Sequence, residues 1–176
     1  MKIFAQLMFF PLLMSLAEAA ERTREVVRDS AGRIVQTIEH QSIAGGGVRS
    51  VTRDAAGRLT GTSVSNPSGA SGSRTVHRDA SGRLTGNTQT TASGQSERAV
   101  HRDASGRIVG TGTTQTTGAS GSRTQCRDAA GRLTGTQTTQ QKPGGAFSGV
   151  RRDASGRVLG TSTATGKVKP PVDCKK

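Results

Sequence analysis

Apolar and polar positions alternate in short bursts along this chain, and each burst surrounds the same turn signal. From Thr75 to Gly86 the sequence reads TVHRDASGRLTG, with Val76 and Leu84 apolar and His77, Asp79, Arg83 and Thr85 polar. A period of two predicts β-strands with one thinly apolar face and one polar face. The Asp of Asp-Ala-Ser-Gly suits the first position of a type I turn, because its carboxylate accepts hydrogen bonds from amides just ahead. The Gly suits the position that needs positive φ. Together they predict a hairpin with a three-residue loop and a glycine bulge. In that register Asp79 forms an ion pair with Arg83 at the tip, Arg78 stands opposite Leu84, and His77 stands opposite Thr85.

The phrase occurs six times. Its aspartates are Asp29, Asp54, Asp79, Asp103, Asp128 and Asp153, at steps of 24 or 25 residues, and the later turn glycines are Gly57, Gly82, Gly106, Gly131 and Gly156. A fixed period of this size marks a repeat architecture in which each supersecondary unit stacks on its neighbours. The first apolar position holds Val51, Val76, Val100 and Val150, with Gln125 as the exception, and the second holds Ile34, Leu59, Leu84, Ile108, Leu133 and Val158. The expected fold is therefore all-β, an array of six hairpin units of ~25 residues near 26–38, 50–63, 75–88, 99–112, 124–137 and 149–162, within a repeat domain at 20–165. An antiparallel meander of about twelve strands fits better than a β-solenoid. Six arginines stacked at the ~4.8 Å spacing of solenoid coils would repel one another. The links, such as NPSGASGSR and TTGASGSR, hold turn-formers without a burial pattern and predict flexible Gly/Ser/Thr-rich loops. The competing reading is a set of local turns in a largely disordered chain.

Composition sharpens this picture. Residues 1–19 have a basic start at Lys2, an apolar run from Ile3 to Ala17 and the small pair Ala17 and Ala19, the pattern of a secretory signal peptide. Export to the periplasm, the medium or the cell surface is the expectation, with no transmembrane segment after signal removal. Beyond residue 19 the only aromatic side chain besides histidine is Phe147, and the chain contains no Trp or Tyr. Burial at about 25 cal/mol per Å² cannot build one thick core from such material, so stability must come from regular stacking. The net charge is +13, and nineteen of the twenty-five basic residues are Arg.

The chemistry-bearing residues are few. His77, His101 and Cys126 occupy the same repeat slot, which is expected to be a variable exposed position rather than a metal site. No Ser/His/Asp set suggests itself, with His40 placed in a link, and the Gly-rich stretches lack the lysine of a phosphate loop. The expectation is no enzyme, no metal and no cofactor. Cys126 and Cys174 are the only thiols in a chain bound for an oxidising compartment, which predicts a disulfide between the fifth unit and the basic tail at 166–176.

The core HRDASGRLTG resembles the YD-repeat, or RHS-repeat, family, whose units carry Tyr-Asp, two variable residues, then Gly-Arg-Leu. The family's Tyr is replaced here by Arg28, Arg53, Arg78, Arg102, Arg127 and Arg152. The resemblance implies hairpin repeats and bacterial secretion or surface biology. In the family, large arrays coil into a hollow β-shell that can enclose a toxic passenger; six units without aromatics are expected to be too few to close one. What remains for function is charge. Arg53, Arg58, Arg78, Arg83, Arg102, Arg107, Arg127, Arg132, Arg152 and Arg157 are the candidate polyanion-binding residues, since guanidinium pairs well with phosphate and carboxylate. An anionic polysaccharide or lipopolysaccharide suits an exported protein, and the lack of stacking aromatics disfavours nucleic acid. The alternative is a structural or adhesive protein acting through a protein partner or self-association.

Overall fold

The computed structural model describes residues 21–166 and Cys174; the expected signal peptide and most of the basic tail lie outside the described residues. Each repeat unit forms a hairpin. The pairs are β1 (Arg22–Asp29) with β2 (Ile34–Ile43), β3 (Gly47–Asp54) with β4 (Leu59–Pro67), and β5 (Gly72–Asp79) with β6 (Leu84–Ser93). They continue as β7 (Ser96–Asp103) with β8 (Ile108–Thr117), β9 (Gly121–Asp128) with β10 (Leu133–Gln141), and β11 (Phe147–Asp153) with β12 (Val158–Thr165). Every strand pairs antiparallel with its chain neighbours, and β12 pairs with β1, so the meander closes into a twelve-stranded barrel.

The hairpin chemistry is as the sequence predicts. At the third tip the Gly82 amide donates to the Asp79 carbonyl at 3.1 Å and the Asp79 amide to the Arg83 carbonyl at 3.0 Å. Gly82 has φ +82°, a conformation that favours glycine. Arg78 stands opposite Leu84 as expected, but a bulge shifts the ladder so that His77 faces Gly86, with Thr85 as the extra residue.

Closure rests on a small offset repeated around the wall. Across β2, Val26 leads through Thr37 to Arg53, two residues past its repeat equivalent Val51. Val51 leads through Thr62 to Arg78, and at the seam Val150 leads through Thr161 to Arg28. A two-residue step per repeat tilts the strands, as closing a sheet requires, with tilts of roughly 35–45° being usual. Twelve strands spaced ~4.8 Å apart make a ring only about 22 Å across. Six units without aromatics thus close a narrow ring rather than a passenger-sized shell. Glycine at five of the six joints between units lets neighbouring strands approach closely there. Gly61, Gly86, Gly110, Gly135 and Gly160 each face the Asp of the next unit around the ring. A Cβ on Gly61 or Gly110 would lie 2.8 Å from the carbonyl oxygen of Arg78 or Arg127, and one on Gly160 would collide with that of Arg28. Gln36 holds this position in the first unit, opposite Asp54.

One further expectation changes. The predicted flexible links are largely strand: β4, β6, β8 and β10 run deep into them, and β6 and β7 are paired as far as Ser93 and Ser96. Their threonines are β-branched, and each lies between two partners in the closed ladder, which overrides the turn-rich composition. The apolar stripe faces outward. The inner wall is polar, with His40, Thr23, His101 and Thr124 among its most buried side chains, while the only buried apolar residues among those described are Cys126 and Ala164. Closure also removes the edges that an open meander would expose.

Candidate functional site: the hairpin rim and the lumen

Because the strands alternate up and down, all six Asp-x-x-Gly tips lie on one rim of the barrel. Each tip is built alike. The Arg before the Asp donates from Nη1 to the carbonyl of the turn glycine, from Arg28 to Gly32 at 3.0 Å through Arg152 to Gly156 at 3.1 Å. The Asp Oδ1 accepts from the amide of the Arg four residues on, at 2.9 Å for Asp54 and Arg58. Four tips add a side-chain ion pair, at 2.8 Å for Asp29–Arg33 and Asp54–Arg58, 3.1 Å for Asp103–Arg107 and 3.8 Å for Asp128–Arg132. The pair expected at every tip is absent at Asp79 and Asp153, where the hydroxyls of Ser81 and Ser155 donate to the carboxylates at 2.7 Å, while Asp103 is bound by both the Ser105 hydroxyl and the Arg107 guanidinium. Ser is short and already lies within the loop, so it reaches Oδ1 directly.

These donors favour the ionised form of Asp29, Asp54, Asp79, Asp103 and Asp153. Asp103 is lowered to about 2, first by the Ser105 hydroxyl and then by the Arg107 amide and guanidinium. Asp79 and Asp153 are lowered chiefly by their Ser hydroxyls, and Asp29 and Asp54 chiefly by the amides of Arg33 and Arg58. Each tip thus combines two guanidinium groups with one carboxylate and keeps one net positive charge. The structure brings all ten candidate arginines onto one rim, together with Arg28 and Arg33. The second Arg of each ion-paired tip is extended into solvent, 80–83% exposed.

The rim carries a second feature that charge counting missed. The large apolar side chains left exposed are Ile34, Val35, Leu59, Leu84, Ile108, Val109, Leu133, Val158 and Leu159, each 38–48% accessible. Every one lies one or two residues after a tip arginine. The sequence did contain this signal: apolar residues follow Gly-Arg in all six copies.

The lumen, with a volume of about 710 Å³, is lined mainly by Thr, Ser, His and Gln, with Glu25, Glu97, Arg151, Val27 and Ile38 among them. That is room for water or a small solute, not for a folded passenger. Its polar groups are paired in chains. His40 lies on β2 rather than in a link; its Nδ1 is 2.9 Å from Ser50 Oγ and its Nε2 is 3.3 Å from Glu25 Oε2. This is a carboxylate–imidazole–hydroxyl chain that sequence spacing did not reveal, because the three residues meet only through β1–β2 and β2–β3 pairing. The ladders on both sides of β3 engage the main chain around Ser50, so it supplies no oxyanion-binding amides of the kind acyl transfer uses. The histidine slot is interior rather than exposed. Thr88 Oγ1 bridges His77 Nε2 at 2.9 Å and His101 Nδ1 at 2.8 Å. A hydroxyl has one proton to give, so one of those nitrogens accepts from it and the other donates to it. Among the described residues no group of three or more His, Cys, Asp or Glu is placed to hold a metal. Cys126 is bonded to Cys174, with Cα atoms 5.4 Å apart, and Cys174 lies against the lumen.

No helix among the described residues is long and apolar enough to cross a membrane. The outer wall alternates a valine row with two arginine rows, Arg49, Arg74, Arg98 and Arg123 on one side and the tip arginines on the other. Arginine facing lipid at mid-membrane costs about 2–4 kcal/mol each, which sets this wall apart from the unbroken apolar band of membrane barrels. Comparisons with protein-family models, with curated proteins and with solved structures find no match to this chain.

Proposed function

We propose that the protein is an exported, non-enzymatic binding module whose arginine-bearing rim holds an anionic polymer such as lipopolysaccharide, a cell-wall polymer or a host glycan. The observation that carries this reading is the convergence of six equivalent tips, each with one net positive charge, on a single end of a barrel about 22 Å across. The upstream arginines are already anchored to their turn carbonyls, so an anion meets guanidinium groups whose ordering is largely complete in the unbound protein. Repeated guanidinium groups on a ring engage a repeating anion better than a single one, because each further contact is intramolecular.

Salt titration tests the reading. Binding of the mature chain to heparin, used as a generic sulfated polymer, should weaken linearly on a log–log plot against salt. Arg83→Ser should reduce the slope by about one. Absence of retention at low salt overturns the proposal, and binding indifferent to salt points instead to a protein-to-protein contact.

A further inference from the structure

We infer that the rim is also a membrane-docking face, and that its occupant is the surface of an anionic phospholipid bilayer into which the apolar crown inserts. The inference rests on the charge reading of the same rim and goes beyond it by assigning a role to the nine exposed aliphatic side chains. Single apolar residues scattered over a surface need no explanation, but a patch confined to one end does. Among the described residues every exposed large aliphatic side chain lies on this rim, each 38–48% accessible. A soluble glycan offers them nothing to contact.

Charge selects the occupant. A second copy docking rim to rim would cover the aliphatic ring, but it would set six net positive tips against six more, and like charges at close range repel. A neutral bilayer would accept the aliphatic groups and leave the arginines without counterions. An anionic bilayer satisfies both sets at once. Leu84 and its equivalents enter the headgroup–acyl boundary, while Arg83 and its equivalents, which immediately precede them, pair with headgroup phosphates. Arginine suits this depth because its guanidinium binds phosphate bidentately while its stem stays in apolar surroundings. One amphipathic signal of aliphatic groups plus basic groups gives reversible surface binding rather than insertion across the membrane.

The test uses the full mature chain and vesicles of phosphatidylglycerol and phosphatidylcholine. Wild type should co-sediment with the anionic vesicles and only weakly with pure phosphatidylcholine. A variant carrying Leu59→Ser, Leu84→Ser and Leu133→Ser removes three exposed side chains and should keep its far-ultraviolet dichroism and its heparin retention. Its vesicle partition should fall at least about tenfold. An environment-sensitive dye on Leu84→Cys should shift to the blue on binding, while the same dye on Ala119→Cys, at the opposite rim, should not. Vesicle partition unchanged by the triple substitution overturns the inference, as does equal response of the two dyes. Heparin retention without vesicle binding overturns it while leaving the charge reading intact, and absence of both removes the two together. Concentration-dependent dimerisation lost in the triple variant, or binding to lipid A vesicles alone, would also overturn it by naming a different occupant.

Discussion

The bond between Cys126 and Cys174 joins a wall strand to the tail across 48 residues. In the chain-entropy treatment a crosslink of that span lowers the entropy of the unfolded chain by an amount worth about 4 kcal/mol at 25 °C. Small domains are stable by ~5–15 kcal/mol in total, so this one bond supplies a large fraction. Its weight is greater here because the inner wall contributes little apolar burial. The double variant Cys126→Ser/Cys174→Ser isolates the crosslink, since a hydroxyl in place of the Cys174 thiol faces a lumen already lined by Thr and Ser. At ~2–4 °C per kcal/mol for a domain of this size, calorimetry should show the melting temperature falling by roughly 8–16 °C. Urea unfolding should show a lower midpoint and a steeper slope, because the uncrosslinked denatured chain exposes more surface. A shift below about 3 °C would refute the reasoning, since a bond across 48 residues would then be constraining almost nothing.

Other outcomes follow from the wall and the tips. Gly160→Ala should cost about 1–3 kcal/mol by forcing β12 away from β1 at the barrel's seam, read as a lower melting temperature; an unchanged value would show that the seam has room. Ser50→Ala removes the partner of His40 Nδ1 on the inner wall and should cost about 1–3 kcal/mol in chemical denaturation, because the ring is 1% exposed. Asp103 has a folded pKa of about 2, below its ordinary 3.8, so its contribution to stability is complete above about pH 4 and is lost as pH falls through 2. Removing its principal donor with Ser105→Ala should move that loss to higher pH, measured as the carboxyl carbon shift of Asp103; an unmoved titration would show that the hydroxyl does not hold the charge.

The hairpins were legible because their causes are local. Asp79, Gly82 and Arg83 lie within five residues of one another, so turn type, tip hydrogen bonds and the Arg78–Leu84 pairing follow from spacing alone. The disulfide was legible for a different reason: two thiols in a chain expected to reach an oxidising compartment allow one intramolecular pairing. The ten candidate arginines could be named for the same local cause, each flanking a turn.

Whether those hairpins would make an open sheet or a ring depended on an offset of two residues per unit, which appears only when β2 meets β3 and β12 meets β1. No single repeat encodes that sum. Closure then decided which face was inside, sending the valine and leucine row outward and the His77 slot inward, and it turned Thr-rich links into paired strand. It also assembled Glu25, His40 and Ser50, which are 15 and 10 residues apart in pairs and share no motif. Alternation along a strand sets two faces, but only the sign of curvature, fixed by strands far apart in the chain, says which of them meets water outside and which encloses the lumen.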